Sequence, residues 1–286
     1  MPEGDTVHQL ARRLASLEGR RLTHAELRVP AMATLDLRGR TVSRVSPWGK
    51  NLYLELVAHD DVDLVLHTHL RMEGTWLINA AATAPVPSHE TRVWLRVEGR
   101  PEAAAEVDLQ GRLLGTVDVW PLQQLAQRTA HLGPDPLAAD WLEPGRWDRP
   151  GRQEAADRLH QQAHRPLAEV LLDQSVVAGI GNVYANEMCF LLGSHPMNPA
   201  GIQDPDRVVD LAHQLMVANL PRPRRVFTGI DRNGERTFVH GRHRRPCRRC
   251  GTAIREGTTT QARSVADPGV GHERVTWWCP RCQPPP

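Results

Sequence analysis

The sequence predicts an α+β protein with two domains: an antiparallel β-sandwich with a flanking N-terminal helix, then a helical domain that ends in a β-hairpin. Three observations support this prediction. Short alternating apolar runs, separated by Gly, Pro and Asp, fill the first part of the chain and are typical of a sandwich or barrel. Helical periodicity begins at about Glu154. Two Cys-x-x-Cys pairs near the end suit a rigid hairpin.

The first helix is predicted directly behind a short N-terminal arm. Asp5 or Thr6 can cap this helix, and Gly19 is expected to end it. Its apolar residues recur with helical spacing, which supports the assignment. These residues are Val7, Leu10, Leu14 and Leu17.

The arm itself carries a possible nucleophile. If Met1 is removed, Pro2 supplies the free α-amine, a group that titrates near ~8. The positive end of the helix dipole would lower that pKa further. A neutral secondary amine beside the carboxylate of Glu3 suits attack on a sugar carbon and formation of an iminium, with the acid moving protons. Many chains begin with Met-Pro, so a sequence without catalytic meaning is the alternative.

Lys50 is the sole lysine among 35 basic residues. Its survival against a strong bias for arginine suggests a place that needs a compact ammonium or a titratable amine, although chance retention on a surface strand is the alternative. It is predicted at the start of a strand. His67 and His69 share one face of another strand, but no third metal ligand is evident, so polar packing is favoured. The predicted strands are 22–29, 39–45, 52–57, 62–68, 76–79, 91–97, 105–109 and 113–119.

The second half reads as helices joined by glycine-rich turns. A Pro- and Gly-rich linker precedes a helix at 165–174, a turn containing Gly179 and Gly181, and a further helix from Val183. Free amides at that helix start, with the side-chain amide of Asn182, could bind a phosphate, while a plain helical hairpin is the alternative. Another helix is predicted at 206–220. The predicted boundaries are 1–130 for the β-sandwich, 131–152 for the linker, 153–225 for the helices, and 226–286 for the hairpin and tail.

Basic charge is concentrated near the end of the chain. The net charge is +2, yet residues 221–282 contain fourteen arginines and five acidic residues, a net charge of +9. Such asymmetry indicates a nucleic-acid face, with a solvated surface as the alternative. No apolar run is long enough to span a bilayer, and the N-terminus lacks the pattern of a signal peptide, so a cytoplasmic protein without a membrane partner is expected.

Four of the five cysteines form two pairs that predict a structural zinc site. Each Cys-x-x-Cys pair can bind one side of a tetrahedral Zn²⁺, and a site with four thiolates has no open position for catalysis. Two disulfides are the alternative, but the absence of a secretory signal disfavours them. The fifth, Cys189, lies in an apolar helix and is expected to be a small buried hydrophobe. The predicted ligands are Cys247, Cys250, Cys279 and Cys282.

These pieces together resemble the family of formamidopyrimidine-DNA glycosylases and endonucleases VIII, over nearly the whole chain. The opening Pro-Glu-Gly, the Gly-Lys-Asn-Leu-Tyr-Leu strand at Lys50, and the His-Leu-Arg-Met-Glu-Gly loop at Met72 are similar to the family's motifs. The linker at 132–137 resembles the family's interdomain linker. Residues 171–187 are similar to its helix-two-turn-helix almost residue for residue, and the zinc β-hairpin ends the chain where the family has it.

The resemblance implies a bifunctional DNA glycosylase and AP lyase of base excision repair. Pro2 would attack C1′ of a damaged nucleotide, Glu3 would protonate the opening sugar, and β,δ-elimination would nick the strand. The phosphates around a flipped nucleotide would be bound by Lys50, Asn182 and Arg274. Met72 would fill the gap left by the flipped base. The resemblance further implies one Zn²⁺, damaged DNA as partner, and a monomer.

The sequence also departs from the family pattern. Position 5 is Asp instead of Pro, and Thr6 replaces a second glutamate. The loop between the cysteine pairs is long, so Arg263 is a fallback for Arg274. The second wedge loop has no clean match, and Arg112, in Gln-Gly-Arg-Leu-Leu, is the predicted candidate.

The segment between Val226 and Cys247 is short, and Gly4 replaces a usual leucine. Both features favour the endonuclease VIII branch and oxidised pyrimidines. The alternatives are an AP lyase without glycosylase activity and an inactive zinc-hairpin protein that binds damaged DNA. A ribosomal or transcription zinc ribbon would leave the first two hundred residues unexplained.

Overall fold

The computed structural model describes residues 2–99, 105–260 and 273–285. The chain divides into two compact units, Met1–Ala130 and His131–Pro286. The first unit contains antiparallel sheets and the second is mainly helical, which confirms the predicted fold class. Within the described residues, no helix combines the length and the apolar character needed to cross a membrane.

Two four-stranded antiparallel sheets form the first unit. One has the strand order β1-β6-β7-β5 and the other β2-β3-β4-β8. Apolar side chains from both sheets and from helix α1 form one buried core, as expected for strands that alternate inward and outward residues. The elements are α1 (Gly4–Leu14), β1 (Leu22–Leu27), β2 (Thr41–Trp48), β3 (Asn51–Val57), β4 (Leu64–His69), β5 (Thr75–Ala80), β6 (Thr91–Val97), β7 (Val107–Arg112), β8 (Thr116–Pro121) and α2 (Leu125–Thr129).

The predicted end of the first helix is confirmed. Helix α1 continues from Leu14 as a 3₁₀ turn to Leu17, and Gly19, with φ of +81°, directly follows the C-cap Glu18. Several other predicted boundaries in this unit were wrong. Strand β2 extends through Pro47, which an edge strand tolerates because one side of its backbone is not paired. Lys50 therefore lies in the turn between β2 and β3, not in a strand. The sequence predicts a break at 110–112, between strands 105–109 and 113–119, but these residues are the last three of β7.

In the described part of the second unit, four helices pack around a second apolar core. Helix α4 is shorter than predicted: it begins after Pro166, its N-cap, and ends before Asp173. Helix α3 begins at Gly151, inside the predicted linker. The elements are α3 (Gly151–Gln161), α4 (Leu167–Leu172), α5 (Asn182–Leu191), α6 (Pro205–Asn219), β9 (Arg255–Thr260) and β10 (Glu273–Trp278).

The segment between α6 and β9 has no helix or strand of regular length, and Glu187 of α5 organises it. The Glu187 carboxylate is fully buried and accepts hydrogen bonds from three consecutive backbone N–H groups. These belong to Phe238 (2.7 Å), Val239 (3.0 Å) and His240 (2.8 Å). The ring of Phe238 then stacks on Phe190, one turn along the same helix. Helix α5 thus fixes the chain that leads into the cysteine hairpin.

Candidate functional site

The first predicted site residues lie at the N-terminal end of α1. Glu3 is the N-cap residue and is completely buried, while Pro2 is partly buried. The backbone N–H of Glu3 donates to Oγ1 of Thr6 at 3.5 Å, and that hydroxyl donates to Oδ1 of Asp5 at 3.3 Å. Asp5 is also buried and accepts the N–H of Thr6 at 2.7 Å. The N-cap is therefore Glu3, not Asp5 or Thr6 as predicted, and the two residues that depart from the family pattern hydrogen-bond within the first turn of the helix.

Lys50 lies in a tight turn at one end of the β2–β3 hairpin. Gly49 has φ of +59°, a value that favours glycine, and the side chain of Asn51 closes the turn by donating to the carbonyl of Trp48 at 3.3 Å. Asn51 pairs across the sheet with His69, the last residue of β4. The lysine is thereby fixed next to the end of β4, where the Met72 loop begins.

His69 is held in its neutral form at this end of the sheet. Its Nδ1 accepts the backbone N–H of Arg71 at 3.0 Å, which places the ring proton on Nε2. Burial first, and then the nearby charges of Lys50, Arg71 and His67, lower the pKa of His69 to about 3. This end of the sheet therefore holds the basic side chains of Lys50 and Arg71 beside a neutral imidazole that presents its Nε2–H as a donor. His67 instead contacts Asn51 through Nε2 at 2.9 Å, so polar packing accounts for it.

Two connections between the sheets meet beside His69. The loop after β4 contains Met72, whose side chain is 64% exposed, and the loop after β7 contains Leu113, which is 39% exposed. The backbone N–H of Gly115, in the second loop, donates to the carbonyl of His69 at 2.9 Å. A Cβ at Gly115 would lie 1.8 Å from Cγ of Arg71, so only glycine lets the two loops approach this closely.

Arg112, the residue predicted for the second wedge loop, does not lie in that loop. Arg112 is the last residue of β7, not a loop residue, and its guanidinium forms an ion pair with Glu90. Leu113 follows with φ of +51°, an uncommon conformation for a leucine, while Leu114 is completely buried. The exposed apolar residue of this loop is thus Leu113. Sequence reasoning missed it because two adjacent leucines give no sign of which one is buried.

In the second unit, a glutamine fixes the turn before α5. Gln174 accepts the N–H of Gly179 at 2.9 Å and donates to the carbonyls of Leu172 and Ile180, both at 2.9 Å. Gly179 has φ of +101°, which a glycine adopts readily. The turn delivers Gly181 as the N-cap of α5 and Asn182 as its first residue. This is the helix end that the sequence predicts to bind a phosphate.

Strand β10 brings Arg274 next to this helix end. The side chain of Asn182 donates through Nδ2 to the carbonyl of Val275 at 2.9 Å, so Asn182 lies beside the residue that follows Arg274. Arg274 itself is partly exposed and pairs with Thr259 across the hairpin. The fallback residue, Arg263, lies outside the described residues. The structure therefore brings two of the predicted phosphate ligands, Asn182 and Arg274, onto neighbouring elements.

The four paired cysteines lie close enough together to hold a metal ion. The ligand atoms of Cys247, Cys250, Cys279 and Cys282 all lie within 4.8 Å of one another. The Sγ atoms of Cys250 and Cys279 are 3.4 Å apart, and those of Cys247 and Cys282 are 4.0 Å apart. Tetrahedral zinc with bonds of about 2.3 Å requires sulfur separations of about 3.8 Å.

Backbone donors around the sulfurs also fit a metal. The N–H of Arg249 points at Sγ of Cys247, and the N–H of Cys282 at Sγ of Cys279, both at 3.4 Å. Such donors stabilise thiolates that carry negative charge. Cys189 is completely buried, burial raises the pKa of its thiol to about 12, and it is not part of the cluster.

Comparisons with known proteins agree with this geometry. Residues 1–116 match the model of the formamidopyrimidine-DNA glycosylase N-terminal domain, and residues 132–220 match that of the formamidopyrimidine-DNA glycosylase H2TH domain. The chain is 43% identical to a probable endonuclease 8 2 of Streptomyces coelicolor, over 100% of this chain and 95% of that protein. It is 41% identical to the DNA-(apurinic or apyrimidinic site) lyase Nei2 of Mycolicibacterium smegmatis, over 99% of both chains.

Solved structures show the same fold. The complex of Lactococcus lactis Fpg with DNA containing N7-benzyl-Fapy-dG has a TM-score of 0.73 and 20% identity, covering 99% of this chain and 100% of that chain. The matching domains and the relatives named endonuclease 8 confirm the resemblance read from the sequence, including its branch. The chain belongs to the formamidopyrimidine-DNA glycosylase and endonuclease VIII family of DNA-repair enzymes, on the endonuclease VIII side.

Proposed function

We propose that the chain is a bifunctional DNA glycosylase and AP lyase that removes oxidised bases, preferentially pyrimidines, and then cuts the strand by β,δ-elimination. The observation that carries this proposal is the Pro2–Glu3 arm, which stands at the N-terminal end of α1 with Glu3 fully buried as the N-cap. Burial places the carboxyl in the dry setting where an acid can be effective. Its action on chromosomal DNA would take place in the cytoplasm, as a monomer.

The reaction follows from the amine and the acid. The neutral secondary amine of Pro2 attacks C1′, and the base leaves with the electrons of its bond to C1′ and gains the proton that the amine loses. Glu3 gives a proton to the ring oxygen as the sugar opens to the iminium. The resulting iminium makes the C2′ proton acidic, so that the 3′ phosphate and then the 5′ phosphate leave. Lys50, Gly181, Asn182 and Arg274 would bind the flanking phosphates as a clamp, because backbone amides and cationic side chains favour negatively charged phosphodiesters.

An AP lyase without glycosylase activity is the second candidate. It is favoured by the 41% identical relative that is named a DNA-(apurinic or apyrimidinic site) lyase, and by Thr6 in place of the family glutamate. Elimination at an existing abasic site needs the amine and the phosphate clamp but no departing base. The third candidate is an inactive zinc-hairpin protein that binds damaged DNA, and the same experiments distinguish it from the two enzymes.

Borohydride trapping on abasic-site DNA tests the nucleophile. The wild type should give a covalent adduct, whereas Pro2→Ala should lose lyase turnover, and a form whose N-terminal amine is blocked by an added residue should give no adduct. Lys50→Ala is the control: it should still be trapped while binding DNA more weakly. An adduct that persists with the blocked amine and disappears in Lys50→Ala would transfer the role to Lys50. No adduct from a wild type that binds DNA normally would indicate the inactive binder.

Matched oligonucleotides with different lesions test the substrate. We expect faster excision of thymine glycol and dihydrouracil than of 8-oxoguanine opposite cytosine, because the segment from Val226 to Cys247 lacks the longer cover expected over an oxidised purine. The abasic duplex, a bubble and a single strand are run in parallel. Faster release of 8-oxoguanine would overturn the pyrimidine preference. Cleavage of the abasic DNA alone would select the AP lyase.

Met72 and Leu113 are proposed as wedges that fill the gap left by a flipped nucleotide, since both are exposed and stand on adjoining loops. Met72→Ala and Leu113→Ala should each slow excision from a duplex by about tenfold, near 1.4 kcal/mol of barrier, and affect a single strand much less. Val86→Ala, at a residue that is 89% exposed on a different loop, is the control. Equal losses on duplex and single strand would contradict the wedge role.

Zn²⁺ is proposed as the structural ion held by Cys247, Cys250, Cys279 and Cys282, where it would supply only rigidity. Removing it with a chelator, or replacing one ligand in Cys282→Ser, should abolish zinc in elemental analysis and weaken DNA binding by at least about tenfold, near 1.4 kcal/mol. Cys189→Ala should keep its zinc and its DNA affinity. Unchanged affinity in protein shown to be free of metal would argue against this role.

A further inference from the structure

Asn186 makes an unusually complete set of hydrogen bonds for a buried side chain of α5. Its side chain is 2% exposed. Oδ1 accepts the hydroxyl of Thr276 at 2.8 Å and the backbone N–H of Trp277 at 2.7 Å. Nδ2 donates to the carbonyl of Asn182 at 2.6 Å and to its side-chain Oδ1 at 3.2 Å. One amide group therefore bridges the start of α5 and strand β10.

The partners fix the orientation of the Asn186 amide. Its oxygen must face β10, where two donors point at it, and its nitrogen must face Asn182, where both contacted atoms are acceptors. The orientation of Asn182 follows in turn. Because Oδ1 of Asn182 receives the bond from Asn186, Nδ2 of Asn182 is directed at the carbonyl of Val275. An amide nitrogen carries two N–H donors, so the second remains for another acceptor.

The same bridge fixes the position of Arg274. Residues 275, 276 and 277 are each bonded to α5, through Asn182 or Asn186, and they follow Arg274 directly. The contacts include the backbone carbonyl of Val275 and the backbone N–H of Trp277, so they set the register of the strand as well as its side chains. A shift of one residue along β10 would turn Arg274 to the opposite face of the hairpin.

We infer that Asn186 is a positioning residue for the phosphate clamp: its buried amide orients Asn182 and holds β10 in the register that presents Arg274. This inference rests on the proposed function, because it assumes that Asn182 and Arg274 bind phosphates. Asn186 itself touches no DNA in this assignment. Its removal should therefore reduce phosphate binding through residues that are still present.

The test compares two Asn186 variants with a matched control. Asn186→Asp keeps acceptors for Thr276 and Trp277 but loses the donor to Asn182. Asn186→Ala removes the hydrogen bonds to β10 and to Asn182 without adding charge. Asn219→Asp is the control, because Asn219 is also a buried helical asparagine, with Nδ2 donating to the carbonyl of Leu215 and Oδ1 accepting the N–H of Val226. Thr276→Val, which removes one partner of Oδ1, is a milder second variant.

The measurement is the dissociation constant for a duplex with a tetrahydrofuran abasic analogue at several salt concentrations, using the full zinc-loaded chain. Both Asn186 variants should bind at least about tenfold more weakly, with a salt slope reduced by about one, as for loss of one phosphate contact. Zinc content and the thermal midpoint should resemble those of Asn219→Asp. Combining Asn186→Ala with Arg274→Ala should cost less than the two separate effects together, since one acts through the other.

Two results would overturn the inference, and they are distinguishable. If Arg274→Ala and Asn182→Ala weaken binding while the Asn186 and Thr276 variants behave like Asn219→Asp, then Asn186 only packs and the proposed clamp stands. If Arg274→Ala and Asn182→Ala leave affinity and salt slope unchanged, the proposed clamp is wrong and the inference falls with it. A fully additive double variant likewise contradicts action through Arg274.

Discussion

The buried carboxylate of Glu187 is the interaction on which the hairpin half of the second unit depends. Burial raises the pKa of this group, and the three backbone N–H donors, together with the charge of Arg242, oppose that rise. Hydrogen bonds to a charged acceptor contribute about 1.5–3 kcal/mol each, and they have to offset the cost of removing the charge from water. Because the donors are consecutive, they bend the chain around a single point. That bend sets Phe238 on Phe190, and Arg249, between two of the cysteines, lies over the same Phe190 ring at 4.5 Å.

Helix α5 therefore organises four features at once. Its first residues present the proposed phosphate-binding amides, Asn186 holds strand β10, Glu187 holds the segment before the hairpin, and its last turn packs into the apolar core. Residues 182 and 186 can cooperate because they are four apart and share one helix face. The cluster of four cysteines lies at the base of the hairpin, with Cys250 before β9 and Cys279 after β10. Strand β10, which carries the proposed phosphate ligand Arg274, is thus held by hydrogen bonds from α5 and, directly after its last residue, by the cysteine cluster.

The sequence could predict the composition of these features but not most of their contacts. Alternating and helical hydrophobic periodicities distinguish the β-sandwich from the helices, and the spacing of the paired cysteines predicts their cluster. All of these signals are local in the sequence. Lys50 was predicted at the start of a strand but lies in the turn just before β3. The reason is that Pro47 suggested that β2 had already ended, whereas an edge strand can contain a proline. The exposure of Leu113 and the role of Asn186 depend on partners distant in sequence, about ninety residues away for Thr276. No local pattern shows which distant donors the amide oxygen of a buried asparagine will contact.

A glutamate at position 6 could both stabilise the first turn of the helix and transfer protons. Asp5 and Thr6 supply the first of these functions without the second. At the start of a helix, a side chain that accepts the N–H of the N-cap residue stabilises the first turn, and the hydroxyl of Thr6 does this for Glu3. A hydroxyl bonded to the Asp5 carboxylate is a far weaker acid than a carboxyl group, so it keeps the geometry without replacing the proton chemistry. In the proposed mechanism, proton transfer at the arm then falls to Glu3. That constraint bears most on departure of the base, which needs protonation at the sugar, and least on elimination from an abasic site, where the base is already gone.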